Sequence, residues 1–272
     1  MKKIFKLSVT LFTFFSLIIS LNPVVSKKTF AKEKAPKPML AIVIDDFGSY
    51  DQSGVGKLLS SGLPITCALL PNVDYSENNR QLITHAGYEL ILHMPMESHV
   101  NLPQDWYGPV YIKNNDSPEI AIQKLESCLN KLPGVLGFNI HIGSGVSQNK
   151  KLMTAIYEYA NKHNLYFLDS RTIETKATEQ ACSETKSIYL GRDVFLEPHK
   201  NRSYNGVQNR ILEGANIALE KGYAIVIGHV GAEGGENTAN AIIDTAPLVN
   251  KMGVDIVPLS KIYELLKQES AA

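Results

Sequence analysis

The residues able to do chemistry fall at one kind of position, the far end of a short apolar run. Asp45 and Asp46 follow Ala41–Ile44, and His93 follows Tyr88–Leu92 with Glu97 four residues on. His141 follows Val135–Ile140, and Asp169 and Arg171 follow Leu165–Leu168. Arg192 and Asp193 follow Ile188–Leu190, and His229 comes just after Tyr223–Ile227. Three of the seven histidines thus share this placement. One histidine at a strand end is usually incidental, but a ring of such residues converges on a single face. An aspartate with two histidines, in a mostly oxygen–nitrogen setting, suits Zn²⁺ or another divalent ion with a position open to water. Asp46, His93 and His141 are the first choice of ligands, and Glu97 is the rival third. Met94 and Met96 read as packing and His85 as surface. His99, His163 and His199, in loops or at helix ends, are assigned no role.

The apolar runs that carry these residues are uninterrupted rather than alternating, as in strands buried on both faces of a parallel sheet. Eight of them, from the run at Ala41 to Val254–Val257, alternate with helical stretches. The spacing predicts helices over 76–87, 116–132, 149–164, 207–221 and 238–252, with weaker ones over 48–61 and 175–184. In the first of these, Asn78, Asn79, Arg80 and Gln81 face outward and Leu82 and Ile83 inward. This order implies parallel pairing, as a closed or nearly closed barrel or as an open doubly wound sheet. In either case the strand ends meet at the C-terminal edge, where such folds keep their sites. Asp-Asp-Phe-Gly lacks the spaced glycines of a nucleotide loop. The aperiodic stretch 98–116 holds the only tryptophan, Trp106, beside Tyr107, and reads as a functional loop.

Formal net charge is zero, so nothing points to nucleic acid. Residues 1–31 read as an export signal or N-terminal anchor: Met1-Lys2-Lys3, an apolar stretch from Leu7 to Leu21, then small residues. A Lys- and Pro-rich linker, 32–38, precedes one domain over 39–268. The protein is therefore expected outside the cytoplasm, extracellular, periplasmic or held at the cell envelope, with membrane contact only through an uncleaved N-terminal segment. Cys67, Cys128 and Cys182, odd in number and widely spaced, form no disulfide framework.

Six motifs together resemble the polysaccharide deacetylase (NodB-like) superfamily, and more narrowly its divergent branch. They are Ile44–Gly48, His93–Glu97, Asn139–Ser144, Leu168–Thr172, Arg192–Leu196 and Ile227–His229, in that order across about 39–266. The resemblance implies a distorted (β/α) barrel of seven to eight mostly parallel strands. It also implies metal-dependent removal of an N- or O-acetyl group from a glycan such as peptidoglycan. On this likeness Asp45 matches the family's general base, Asp46 its metal-binding acid, His93 the first metal histidine and His229 the general acid. The chain departs from better-known members at Glu97, where they carry a second metal histidine, and near His141, where they carry an arginine-proline segment.

The chemistry is coherent without that name. A bound Zn²⁺ brings the pKa of water toward about 7 and polarises a carbonyl. Asp45, next to the metal-binding Asp46, can take a proton, and His229 can give one to the leaving amine. Asp169 or Arg171 can orient this pair. Trp106 and Tyr107 are expected to stack on a sugar, with Ser144 and Asp193 as further substrate-binding positions. Two rivals stand beside this reading: a catalytically silent barrel that binds carbohydrate or serves as an envelope scaffold, and a metal-dependent hydrolase of another amide, ester or phosphoester.

Overall fold

A computed structural model describes residues 37–198 and 201–271. The N-terminal segment 1–31, most of the linker and His199 lie outside the described residues. Nine strands form one sheet: β1 (Met39–Phe47), β2 (Thr66–Leu69), β3 (Glu89–Met96), β4 (Gly137–Ile142), β5 (Tyr166–Asp169), β6 (Leu190–Gly191), β7 (Val194–Phe195), β8 (Tyr223–His229) and β9 (Asp255–Val257). Every ladder between them is parallel. The order is β6-β5-β4-β3-β2-β1-β8-β7, with β9 also on β1. Its two ends, β6 and β7, are separated in the chain only by Arg192 and Asp193, so the sheet must curl until its ends nearly meet. This is the distorted barrel, not the open sheet. The short β7 was not visible in the sequence.

Around the sheet run α1 (Val55–Leu59), α2 (Ser76–His85), α3 (Pro118–Leu129), α4 (Lys150–Lys162), α5 (Ala177–Glu184), α6 (Tyr204–Lys221), α7 (Gly235–Lys251) and α8 (Leu259–Ala271). Caps set several starts: the Ser117, Asn149 and Ser203 side chains accept from the backbone N–H three residues on. In α2 the expected faces are partly reversed, since Leu82 is exposed and Asn79 is buried. Asn79 is drawn inward because its Oδ1 accepts from Gly48 N at 2.8 Å, tying α2 to the turn after β1.

The period of two along each strand divides the core and places the site. Leu40, Ile42 and Ile44 of β1 face the helices, while Ala41 and Val43 face the interior with Ala68, Ile91, Leu168, Ile225 and Ile227. Leu259 and Ile262 of α8 join this inner cluster. Asp45, His93 and His229 continue the same inward faces two residues beyond Val43, Ile91 and Ile227. The polar residues therefore form the top layer of a barrel interior whose lower layers are aliphatic. The three cysteines are buried with free thiols.

Candidate metal centre and acid–base pair

His93, His141 and His229 lie within their strands rather than after them, because β3, β4 and β8 run longer than the apolar runs suggest. Register brings them together: His93 pairs with Asn139, Pro95 with His141, and Asp45 with His229. Asp45 and Asp46 would point to opposite faces of a regular strand. Between Ile44 and Phe47, however, β1 carries one residue more than β2 opposite it, and Asp46 adopts φ 67°. Aspartate tolerates this left-handed backbone, and the bulge turns the second carboxylate back toward the site. Ile142, just past His141, has φ 62°, an uncommon conformation for a β-branched residue and a sign of local strain.

The Asp46, His93 and His141 ligand atoms lie within 4.8 Å of one another. Asp46 Oδ1 is 3.3 Å from His93 Nε2 and 3.2 Å from His141 Nδ1, and the two ring nitrogens are 3.1 Å apart. The opposite ring nitrogens are engaged elsewhere. His93 Nδ1 donates to Asn139 Oδ1 at 2.7 Å, and His141 Nε2 donates to the Trp106 carbonyl at 3.0 Å. Each neutral imidazole then turns a lone pair inward. Asp46 Oδ1 is buried without a hydrogen-bond partner, so the two short N···O contacts are electrostatic. Three lone pairs converging on one point repel unless a cation lies among them. The donor set fits a divalent ion of the zinc type, with outer hydrogen bonds fixing both imidazoles. When the rings instead carry their protons on the inward nitrogens, hydrogen bonding and charge from His141 and His93 outweigh burial and hold the Asp46 carboxyl well below its usual range, as a cation among the three atoms would.

Asp45 is buried beside this triad. Its Oδ1 accepts from Asn139 Nδ2 at 2.7 Å, and its Oδ2 lies 3.7 Å from His93 Nε2 and 4.0 Å from His229 Nε2. Burial raises its pKa, with His93 and His229 opposing. Across from it, His229 Nδ1 is 3.0 Å from Glu197 Oε2, and Glu197 Oε1 accepts from His229 N at 3.0 Å and from Thr238 Oγ1 at 2.5 Å. Glu197 is 0% exposed. Burial pushes the His229 imidazole down, but the Glu197 hydrogen bond and charge, with Asp46 and Asp45 behind them, lift its pKa to about 10. The site thus holds a carboxylate able to accept a proton and an imidazolium able to give one, 4.0 Å apart.

Other sequence-chosen residues stand elsewhere. Glu97 is outside the ligand cluster; its Oε2 accepts from Asn114 N at 2.7 Å. Extended chain explains this, since four residues along a strand span about 13 Å. Asp169 and Arg171 were expected to orient Asp45 and His229, and neither hydrogen-bonds to them. Asp169 accepts from Arg171 N and from Tyr189 OH, and Arg171 reaches Tyr189, the Arg192 carbonyl and Glu179. Asn139 and Glu197 make the orienting bonds instead. Asp193 also departs from its expected substrate-binding position, because its carboxylate accepts from Ile225 N and from Lys221. Ser144 Oγ is taken up by Ser98 Oγ and by His99 N and Nδ1. Tyr107 is a buried strut stacked on Tyr111 at 4.6 Å. Trp106 is 60% exposed, with its carbonyl on the His141 ring.

A sequence model of the family described as divergent polysaccharide deacetylase matches residues 42–263. Uncharacterized protein YibQ of Escherichia coli K12 is 32% identical over 195 residues, 70% of this chain and 58% of YibQ, so the chain spans under two thirds of that relative. Among solved structures, uncharacterized protein ATU2773 from Agrobacterium tumefaciens C58 shares the fold at TM-score 0.75 and 19% identity, over 84% of this chain and 90% of that one. The catalytic domain of a peptidoglycan N-acetylglucosamine deacetylase from Eubacterium rectale aligns at TM-score 0.52 and 11% identity, over 83% and 90% of the two chains.

Proposed function

Since the chain belongs to the divergent polysaccharide deacetylase family, we propose that it is an exported, metal-dependent hydrolase that removes acetyl groups from a glycan of the cell envelope. The observation that carries this reading is the convergence of three lone pairs from Asp46, His93 and His141, flanked by Asp45 and His229. Asp46, His93 and His141 would hold a divalent ion, most simply Zn²⁺, which when bound supplies Lewis-acid polarisation of the acetyl carbonyl and acidification of water.

The chain's own residues supply the rest. Asp45 takes the proton of the attacking water. Its Oδ1 is already held by Asn139, so Oδ2 is the oxygen left to act. Burial in a site of raised carboxyl pKa strengthens it as a base. His229 delivers a proton from Nε2 to the departing nitrogen or oxygen. Glu197 keeps Nδ1 protonated and stabilises the cation before delivery. Trp106, exposed beside the ligand His141, offers an aromatic face to a sugar ring. The supporting experiment is acetate release from a panel of acetylated glycans by the zinc-loaded protein. Activity abolished in Asp45→Asn with zinc content retained supports the assignment. Zinc bound with no acetate from any glycan supports the silent barrel.

A further inference from the structure

Arg192, between β6 and β7, carries a charge that no carboxylate among the described residues meets in direct contact. Its Nε donates to the Ser170 carbonyl and its Nη2 to the Arg171 carbonyl, both at 2.7 Å. Its guanidinium carbon lies 5.1 Å from the centre of the Phe195 ring, and that ring meets the His229 imidazole edge-on at 5.1 Å. The guanidinium thus flanks the proton-donating side of the site. Among the described residues no carboxylate lies within ion-pair distance of it, and Nη1 has no hydrogen-bond partner. The acids nearby are committed: Asp169 to Arg171 N and Tyr189, Asp45 to Asn139, Glu179 to Arg171, and Glu197 to His229 and Thr238. Burial and the neighbouring Arg171 cation disfavour the Arg192 charge, and the more distant Asp169 and Asp45 carboxylates only partly offset them. A half-buried guanidinium fixed by two neutral carbonyls, beside a second arginine and with its counter-charges only at a distance, gains from a carboxylate in direct contact. The two carbonyls also fix the plane of the fork and leave Nη1 without a partner among the described residues, an arrangement suited to a planar anion.

We propose that Arg192 is a specificity-determining residue that binds a carboxylate on the acetylated sugar, so that the preferred substrate is an acidic amino sugar rather than a neutral one. This rests on the deacetylase reading, and it deepens it. Because Arg192 stands on the His229 side, the carboxylate belongs to the sugar that carries the leaving nitrogen, or to its immediate neighbour. Two sources share this chemistry, a lactyl ether on the sugar and a uronic acid carboxyl.

The test is calorimetric binding in an Asp45→Asn background, which keeps the ligand intact. The probes are a disaccharide containing N-acetylmuramic acid and its carboxamide, and a disaccharide containing an N-acetylhexosaminuronic acid and its carboxamide. One acid should bind about 10- to 100-fold tighter than its amide, the range of a charge-assisted hydrogen bond. Which pair shows the preference identifies the source. Arg192→Gln should erase the difference while leaving amide binding unchanged, and Arg192→Lys should keep part of it. Should Arg192→Gln fail to fold on thermal denaturation, the partial loss in Arg192→Lys decides. Equal or undetectable binding of acid and amide in both pairs overturns the proposal. So does an equal loss for acid and amide in Arg192→Gln, which would place Arg192 in support of Asp45. Acid preference without acetate release by the protein retaining Asp45 would sink the deacetylase reading and leave the Arg192 assignment standing.

Discussion

Replacing Glu197 by Gln tests the acid half of the site without any assumption about substrate. In the native chain Glu197 Oε1 already accepts from His229 N and Thr238 Oγ1, leaving Oε2 for His229 Nδ1. A glutamine keeping its oxygen on the first two donors turns its NH₂ toward Nδ1, which favours the neutral ring. The loss of a hydrogen bond to a charged group is about 1.5–3 kcal/mol, and at 1.36 kcal/mol per pKa unit this lowers His229 by about 1–2 units. The assay is an NMR titration of the imidazole C–H resonances in chelator-treated protein, since a divalent ion nearby would lower both values by repulsion. The wild-type His229 should titrate near 10, and Glu197→Gln clearly below that. The sign for stability follows. The raised value means the imidazolium favours the fold, fully so below the unfolded histidine value near 6.5, and this contribution is lost as pH rises through about 10. Wild type should therefore lose stability to denaturant on going from pH 7 to 10, and the variant should lose less. A wild-type His229 titrating near 6.5 and unmoved by Glu197→Gln would refute the reasoning.

Two further substitutions probe the support of the site. Asn139→Leu leaves Asp45 Oδ1 and His93 Nδ1 without partners in a buried setting, so it should cost about 2–4 kcal/mol in denaturant unfolding and weaken zinc in a competition titration by about 10- to 100-fold. Gly143→Ala meets both a left-handed φ of 63° and the Ile140 Cγ2 at 2.1 Å from the added methyl; the expected loss, read by thermal denaturation, is about 2–4 kcal/mol.

Much of the site was legible because burial alone sends a residue after an apolar run to the open end of the sheet. Asp45, Asp46, His93, His141 and His229 were found in this way; the alternation of runs and helices implied a parallel sheet, and the family resemblance implied that it forms a distorted barrel. What remained hidden depends on pairing across strands. Asn139 looks like an interior strand residue until the register sets it beside His93. Glu197 sits after an apolar stretch too short to announce itself, since β7 is only two residues long. Glu97 was plausible because it follows His93 by four residues, where better-known members carry a second metal histidine, but an extended chain carries it past the cluster. Asp169 and Arg171 share a strand end with the site, yet they bond to Tyr189 and the loop around Arg192 instead. Position at the edge identifies candidates, and only geometry tells a ligand from a strut.

The central claim is that Asp46, His93 and His141 together bind one divalent ion. Calorimetric titration of Zn²⁺ into chelator-treated protein tests it most directly. The account predicts one ion per chain, binding lost or greatly weakened in Asp46→Ala, His93→Ala and His141→Ala, and binding retained in Glu97→Ala. No binding to the wild type, or binding that survives His141→Ala and disappears in Glu97→Ala, would contradict it.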